Sequence, residues 1–360
     1  MERSVLSLLI LVFVTNSAFA RHPKRRALVL GIDGCMGTQL HQRVWQDQQA
    51  PHIQKLMIQG KFAPCQSPTD PRCARAQSAF RKTRAPSLLW NCEPVWVTSP
   101  GWASVLTGAD VDHHGVTDNE HKCQKAFSST TQKYPTFFAT LKNAGFKTAA
   151  GGVSAFLTSK SGSSIGTGIL DYECGHSEEK ELPNVAFDSN KSCNLNYRFT
   201  PTKEDDTKDE KLTDWLLAMI AGDADVIMGV LDHVDSIGHR HGFSANPEYM
   251  AAISAADSLI GKVLAAIEET MRQRGETWLL LLSSDHGGHK TADGGGHATV
   301  VDEDEVVPFV VAVLGEDIKL KDLDYPVRHM DVNPTLLKWF AQPSLAPDGK
   351  VQGLASMSVP

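Results

Sequence analysis

Strand-like apolar runs alternate with helical patterns along this chain, and this alternation restricts its possible folds more than any other feature. The strand-like runs lie at 27–32, 93–97, 147–153, 224–232, 277–283 and 306–315. Helical patterns lie at 51–60, 135–145, 209–222, 247–274 and 331–341. Parallel strands require a crossover connection, which is usually a helix. The sequence therefore predicts an α/β fold, with a mostly parallel central sheet and helices on both faces.

No repeat and no linker divides the 360 residues. We therefore expect residues 21–360 to form a single domain. Two stretches, near 61–92 and 154–208, lack a clear period and contain Pro, Ser, Asn and Cys. We interpret them as irregular insertions into the α/β core.

Residues 1–20 have the pattern of an export signal. Arg3 precedes a short apolar core, and Ala18-Phe19-Ala20 matches a cleavage site. The apolar run is short for a bilayer span, although a retained membrane anchor is the alternative. We expect an exported protein, periplasmic or secreted, with no stable membrane anchor after cleavage.

Charge and cysteine content limit the partners and the compartment. The net charge is −7, and no long basic run follows residues 22–26, so we expect no nucleic-acid-binding surface. Seven cysteines are compatible with disulfides in an oxidising compartment. We expect Cys35, just after a strand, to be a buried free thiol. The other six can form three bridges whose pairing stays open.

Reactive side chains follow several of the predicted strands. They are Asp33, Thr98, Asp235, His239, Asp285, His286 and His297. The carboxyl ends of parallel strands meet at one edge of a sheet, which is where function collects in such folds. Carboxylates and imidazoles together suit zinc or a similar first-row divalent ion. Seven groups are too many for one tetrahedral site but suffice for two ions. Two neighbouring ions can stabilise the attacking and leaving oxygens of a phosphoryl displacement.

Thr98 lies in the segment VTSPGWASVLTG, where a strand passes directly into a helical pattern. Pro100 suits a first helical turn, which places Thr98 at the helix N-terminus, where anions are favoured. Threonine there can be a simple helix cap. It can also be a nucleophile once a metal activates its hydroxyl. The six other ligand candidates favour the second interpretation.

Five ordered motifs carry a resemblance to a known family. They are GIDG, T-x-P-x-x-A-S-x-L-T-G-x-x-x-x-x-H-G-V, D-S-I-G-H-x-x-G, S-D-H-G-G and D-V-x-P-T. Together they resemble the alkaline phosphatase superfamily, in particular its type I phosphodiesterase/nucleotide pyrophosphatase branch. The likeness spans about residues 27–341 and implies an alkaline-phosphatase-like α/β sandwich.

The resemblance also implies roles for particular residues. It assigns one divalent ion to Asp33, Thr98, Asp285 and His286, and a second to Asp235, His239 and His297. Zn²⁺ is the ion that we favour for both sites. Asn119 would donate to a phosphoryl oxygen. The implied reaction is attack by Thr98, formation of a phospho-threonine, and its hydrolysis by water.

The resemblance implies a two-metal hydrolase of phosphodiester or pyrophosphate bonds, acting on a small-molecule phosphate ester that can be a nucleotide, and the signal pattern of residues 1–20 makes it an exported one. Gly101 and Trp102 depart from the T-F-P-N-H sequence frequent in the family's phosphodiesterases, and this departure argues against nucleotide recognition. The sulfatase signature C-x-P-x-R is absent from the sequence. The alternatives are a phosphomonoesterase or phosphonate hydrolase of the same superfamily, and a catalytically silent metal-binding secreted protein.

Overall fold

A computed structural model describes residues 24–76, 97–116, 119, 133–152, 169–175, 192–194, 208–299 and 301–354. Its main sheet has eight strands in the order β2-β12-β8-β1-β7-β4-β5-β6. The strands are β1 (Arg25–Ile32), β2 (Lys61–Phe62), β3 (Ala74–Arg75), β4 (Thr148–Gly152), β5 (Tyr172–Gly175), β6 (Ser192–Asn194), β7 (Val226–Leu231), β8 (Thr277–Ser283), β9 (His289–Thr291), β10 (Gly294–Gly296), β11 (Val306–Val307) and β12 (Phe309–Leu314).

The strands from β8 to β6 in that order run parallel, whereas β12 is antiparallel to both of its neighbours, β8 and the edge strand β2. The helices are α1 (Gly37–Trp45), α2 (Pro51–Gln59), α3 (Thr98–Thr107), α4 (Val111–His114), α5 (Phe137–Asn143), α6 (Lys208–Ala221), α7 (His233–His241), α8 (Pro247–Arg274), α9 (Asp302–Glu305) and α10 (Val332–Trp339). This arrangement confirms the predicted mixed α/β fold with a mostly parallel sheet.

The two faces of the sheet bury separate cores. Alternate residues of β1 point to opposite sides, so that Leu28 and Leu30 join one core and Ala27 and Val29 join the other. The first core is closed by α1, α2, α6, α7 and α8. The second is closed by α3, α5 and α10. Burial on both faces explains why the central strands are continuous apolar runs.

Helix α8 is long and apolar enough to cross a membrane by length and composition. However, half of its apolar 18-residue stretch is buried inside the fold. It packs against α6, α7, α2 and α1. Its apolar stripe therefore belongs to the core of the α/β domain. Its left-handed C-cap at Gly275 ends the helix at the predicted position.

The stretch 154–208 is not wholly an irregular insertion, because β5 and β6 extend the main sheet by two parallel strands. They have only four and three residues, which is too short to show a period in the sequence. Pro308 divides the predicted strand at 306–315 into β11 and β12. The predicted strand at 93–97 lies almost entirely outside the described residues.

One cysteine prediction is confirmed. Cys35 is a buried free thiol. Cys65 and Cys73 form a disulfide within the stretch 61–92, and Cys174 is disulfide-bonded as well. The Cys65–Cys73 bridge closes a short loop beside β3.

Candidate active site

Three adjacent strands in the middle of the sheet deliver most of the candidate residues. Strands β8, β1 and β7 are neighbours and parallel, so their carboxyl ends lie side by side. Asp33 follows β1, Asp285 and His286 follow β8, and β7 leads into α7. The edge expected from the sequence is therefore the edge where these side chains meet.

One group of side chains is formed by Asp235, His239 and His297. Their ligand atoms lie within 4.8 Å of one another. Nε2 of His239 is 3.3 Å from Asp235 Oδ2 and 3.1 Å from His297 Nε2. Asp235 and His239 are four positions apart on α7, so they share one helical face.

A second group contains Asp33, Asp285 and His286, and Asp235 links it to the first. Nε2 of His286 is 3.5 Å from Asp33 Oδ1 and 3.3 Å from Asp285 Oδ2. The ligand atoms of Asp33, Asp235 and His286 lie within 4.8 Å of one another. The His286 ring also stacks on the His297 ring, with centroids 3.9 Å apart. The two groups therefore form one continuous cluster.

The carboxylates of Asp33 and Asp285 each have one oxygen engaged by the protein and one left over. Asp33 Oδ2 accepts a hydrogen bond from Trp102 Nε1 at 3.2 Å, and Asp285 Oδ1 accepts one from the Gly34 N–H at 3.2 Å. Asp33 Oδ1 and Asp285 Oδ2 have no hydrogen-bond partner among the described residues, although both are buried. A buried carboxylate oxygen without a partner is costly, and a cation at the cluster would remove that cost.

His286 shows the same division between its two ring nitrogens. Its Nδ1 lies 2.8 Å from the Gly287 carbonyl, so Nδ1 carries the proton and Nε2 presents a lone pair. Nε2 of His286 and Oδ1 of Asp235 are also buried without a hydrogen-bond partner among the described residues. This donor set of carboxylate oxygens and an imidazole nitrogen, each oriented by a second contact, fits a zinc-type ion.

The electrostatics of the cluster are those of a site that lacks positive charge. Burial, followed by the charges of Asp285 and Asp235, raises the pKa of Asp33 well above its ordinary value. Burial and the charge of Asp235 raise the pKa of Asp285 to about 8 and that of Asp232 to about 7. Burial lowers the pKa of His286 to about 3, which keeps the imidazole in its neutral, metal-binding form at neutral pH.

Thr98 is the first residue of α3 and is half-buried. Residues three and four positions later on a helix lie on the same face. At these positions, Trp102 donates to Asp33, and a Cβ on Gly101 would lie 2.6 Å from the Asp285 carbonyl oxygen. The face of α3 that begins with Thr98 therefore packs against the two aspartates that follow β1 and β8.

Asn119 lies beside the start of the same helix. Its Oδ1 accepts a hydrogen bond from the Ser99 N–H at 2.8 Å. The other end of its amide consists of two N–H donors, which is the chemistry that a phosphoryl oxygen requires. Asn119 therefore lies beside the residue that follows Thr98, although it comes 20 positions after Ser99 in the chain.

His297 follows a hairpin, β9–β10, that an acidic side chain anchors. Asp304 Oδ1 lies 2.7 Å from Nδ1 of His289, and its Oδ2 accepts two hydrogen bonds from Thr299 at 2.8 Å. Asp304 is completely buried, although an acidic run such as 302–305 usually indicates a solvated loop. It forms α9, which holds the segment around His297 in place.

Trp102 and Asp331 have structural roles that the sequence alone does not reveal. Trp102 is completely buried and donates to Asp33, a role that no spacing rule would have indicated. Asp331 does not cap α10, because its carboxylate accepts hydrogen bonds from Arg328, Lys350 and Gln352. It instead links the turn before α10 to the C-terminal segment.

We predict that Gly101→Ala lowers both stability and turnover. Alanine gains about 1 kcal/mol of helix propensity, but its methyl group would lie 2.6 Å from Asp285 backbone and side-chain atoms. Overpacking of this kind costs about 1–3 kcal/mol and displaces Asp285. Gly145→Ala is the control, because it strains a left-handed backbone (φ 88°) with no atom within 4 Å. Thermal unfolding and kcat measure both; equal kcat in the two variants would contradict the prediction.

The profile of the type I phosphodiesterase/nucleotide pyrophosphatase family matches residues 27–334. A sequence search among curated proteins gives no significant match. The fold is similar to that of murine ectonucleotide pyrophosphatase/phosphodiesterase 5, solved as an inactive threonine-to-alanine form with AMP, at 12% identity over 91% of this chain and 97% of that one, with a TM-score of 0.58.

It is also similar to the fold of BT1596, a 2-O GAG sulfatase, at 15% identity over 91% of this chain and 73% of that one, with a TM-score of 0.57. At these identities the two structures show a shared fold. The family match spans most of the chain and confirms the resemblance that the five motifs indicated. This chain belongs to the type I phosphodiesterase/nucleotide pyrophosphatase family of the alkaline phosphatase superfamily.

Proposed function

We propose that this protein is a two-metal hydrolase of phosphoric esters that cleaves phosphodiester or pyrophosphate bonds with Thr98 as nucleophile. Family membership supports a hydrolase of the phosphodiesterase/pyrophosphatase type. One observation carries the finer proposal. Buried atoms of Asp33, Asp235, Asp285 and His286 have no hydrogen-bond partner among the described residues and belong to one cluster, at the face of the helix that Thr98 begins.

In this proposal, one ion is held by Asp33, Thr98, Asp285 and His286, and the second by Asp235, His239 and His297. The Asp235 carboxylate lies within reach of both groups, which supports two ions close together. Two bound divalent cations supply charge neutralisation at the phosphoryl group and allow a nucleophile to form at neutral pH. The carboxylates and neutral imidazoles are the ligands that zinc prefers.

Thr98 Oγ1 attacks phosphorus, the bond from phosphorus to the leaving oxygen breaks, and the hydroxyl proton passes through solvent to that leaving oxygen. Water then attacks the phosphorus bound to Thr98: its oxygen joins phosphorus, a proton returns to Thr98 Oγ1, and the phosphate product leaves with the ester group that it kept. The Asn119 amide donates to a non-bridging oxygen while charge develops there. The N-terminus of α3 adds its positive dipole end to the same anion.

Phosphorus rather than sulfur is the proposed centre because threonine occupies the position at which sulfatases carry the cysteine of C-x-P-x-R. Nucleotides are a proposed substrate class because the murine relative was solved with AMP. Gly101 and Trp102 pack against Asp285 and Asp33, inside the fold. Their departure from the frequent family sequence therefore does not argue against a nucleotide substrate.

We also propose that the protein is exported after cleavage near Ala20, without a stable membrane anchor. The signal-like pattern of residues 1–20 supports this. The Cys65–Cys73 disulfide supports it independently, because such bonds persist in oxidising compartments. N-terminal sequencing of the exported protein tests the cleavage.

A substrate panel tests the proposed reaction. We expect chelated protein to regain activity with Zn²⁺, and to hydrolyse an aryl phosphodiester faster than the matching aryl phosphomonoester, phosphonate or sulfate. Mn²⁺ and Mg²⁺ are compared with Zn²⁺ in the same assay. Faster hydrolysis of the monoester or phosphonate would favour those alternatives. Metal binding without turnover of any ester would favour a catalytically silent metal-binding protein.

A further inference from the structure

Helix α7 carries Asp235 in its first turn and His239 one turn later. The first N–H groups of any helix lack intrahelical acceptors and need others. The side chain of the N-cap residue, Asp232, accepts no hydrogen bond from the first backbone N–H groups of this helix. Its carboxylate accepts a hydrogen bond from the Ser236 hydroxyl at 3.0 Å, and its side chain makes no cap bond.

The acceptors come instead from another helix. Asp209, in the first turn of α6, is buried, and its two oxygens accept from two consecutive backbone N–H groups. Oδ1 accepts from the Asp232 N–H at 2.9 Å, and Oδ2 accepts from the His233 N–H at 3.1 Å. One carboxylate, 23 residues earlier in the chain, therefore caps the helix that presents the cluster's Asp and His.

This cap has two consequences for the cluster. It fixes where α7 begins and how it is rotated, and Asp235 and His239 share one face, so their positions follow from that rotation. It also places a negative charge at the positive end of the α7 dipole, close to the position where cations would bind. A cap with a full charge favours cation binding at this end more than a neutral cap would.

We propose that Asp209 is a positioning residue for the ion held by Asp235, His239 and His297. Its carboxylate holds α7 in the orientation that binds this ion, and its charge offsets the positive helix end. This inference rests on the proposed function, because it takes Asp235 and His239 to be ligands. Second contacts of this type typically change metal affinity by about 10–100-fold.

The chain contains a matched control for this role. Asp257, on α8, is also buried, and its Oδ1 and Oδ2 accept from the backbone N–H groups of Ile53 at 2.7 Å and His52 at 3.3 Å. Asp257 therefore caps α2 as Asp209 caps α7. Helix α2 carries none of the proposed ligands, so Asp257→Asn removes the same kind of cap without touching the metal cluster.

The test compares Asp209→Asn and Asp209→Ser with Asp257→Asn, using the full chain. Zn²⁺ affinity is measured by competition with a chromogenic chelator after complete removal of metal, and thermal unfolding is measured in parallel. We expect both Asp209 variants to bind the weaker of two zinc ions about 10–100-fold less tightly than wild type. Asp257→Asn is expected to lose comparable thermal stability while keeping zinc affinity within about twofold.

Equal zinc affinity in the Asp209 variants and Asp257→Asn would overturn the inference and leave Asp209 a general stability element. The same conclusion follows if both Asp209 variants fail to fold while Asp257→Asn folds. Failure of the proposed function is distinguishable, because in that case wild-type protein itself would bind fewer than two zinc ions or would hydrolyse no phosphoric ester.

Discussion

Thr98→Ala is expected to abolish phosphoester turnover while the protein keeps the two metal ions proposed for its site. Without Oγ1 there is no atom to form the covalent intermediate, and loss of a nucleophile costs roughly 10³-fold or more in kcat. Metal content should persist because Asp33, Asp285 and His286 remain as ligands of the same ion. Turnover is measured with the aryl phosphodiester, and metal content by elemental analysis of the purified variant.

Two variants control for this prediction. Ser99→Ala removes the neighbouring hydroxyl, which lies buried beside the Asn119 contact, and it should keep near-wild-type kcat. Thr98→Ser keeps a hydroxyl and should retain measurable turnover. Rapid quenching should trap the phosphoryl group of the substrate, with its remaining ester substituent, on wild-type protein and none on Thr98→Ala. Wild-type turnover by the alanine variant would remove Thr98 from the role of nucleophile.

The sheet and the site edge were predictable because their signals are local and strong. Strands β1, β7 and β8 are buried on both faces and therefore appear as continuous apolar runs. Once such runs are recognised, the polar residues after them must lie at one edge. That reasoning brought Asp33 and Asp285 together in the sequence interpretation, and their side chains lie around His286 in the structure.

The parts that escaped prediction depend on contacts between residues far apart in the chain. The two short strands β5 and β6 gain stability from pairing beyond β4, which no local period reveals. The capping of α7 by Asp209 is similar, because an Asp in the first turn of a helix normally indicates only its own cap. Asp304 belongs to an acidic run whose composition indicates solvent exposure. It is nevertheless buried, and its carboxylate is hydrogen-bonded to His289 and Thr299.

Gly101 and Trp102 illustrate a different difficulty. In the sequence, their departure from the T-F-P-N-H frequent in the family argues against nucleotide recognition. The helix geometry shows that these positions, three and four residues after Thr98, contact Asp285 and Asp33 instead. A sequence identifies residues near a site, but the direction of each side chain depends on the rotation of the helix about its axis.

The stability of the metal-free protein is expected to fall as pH rises from about 6.5 to about 8.5. In the metal-free protein the pKa of Asp285 is about 8 and that of Asp232 about 7, and that of Asp33 is raised well above its ordinary value, in each case mainly by burial. In the unfolded chain these carboxyls ionise near pH 4. Across this window the folded state therefore binds more protons than the unfolded state, and raising the pH destabilises it.

The slope is up to about 1.4 kcal/mol per pH unit for each carboxyl that stays protonated in the fold. Below about pH 6.5 the buried imidazole of His286, with its pKa lowered to about 3, acts in the opposite direction, because the unfolded chain then takes up the proton. In the higher window His239, whose pKa is raised mainly by its hydrogen bond to Asp235, acts in the same direction as the carboxyls, because the folded state keeps its proton longer than the unfolded chain. Thermal unfolding of chelated protein at several pH values measures the effect, with zinc-loaded protein and chelated Asp285→Asn as controls.

Zinc-loaded protein should show little of this loss, because cations replace the protons and leave the carboxylates ionised but neutralised. The stabilisation by zinc should accordingly increase with pH across the window. Chelated Asp285→Asn should show a shallower slope than chelated wild type, since one buried carboxyl has been removed. A metal-free protein whose stability is constant or increases from pH 6.5 to 8.5 would mean that these carboxylates are already compensated by the protein itself. The case for cations at the cluster would then lose its electrostatic basis, whatever the outcome at Thr98.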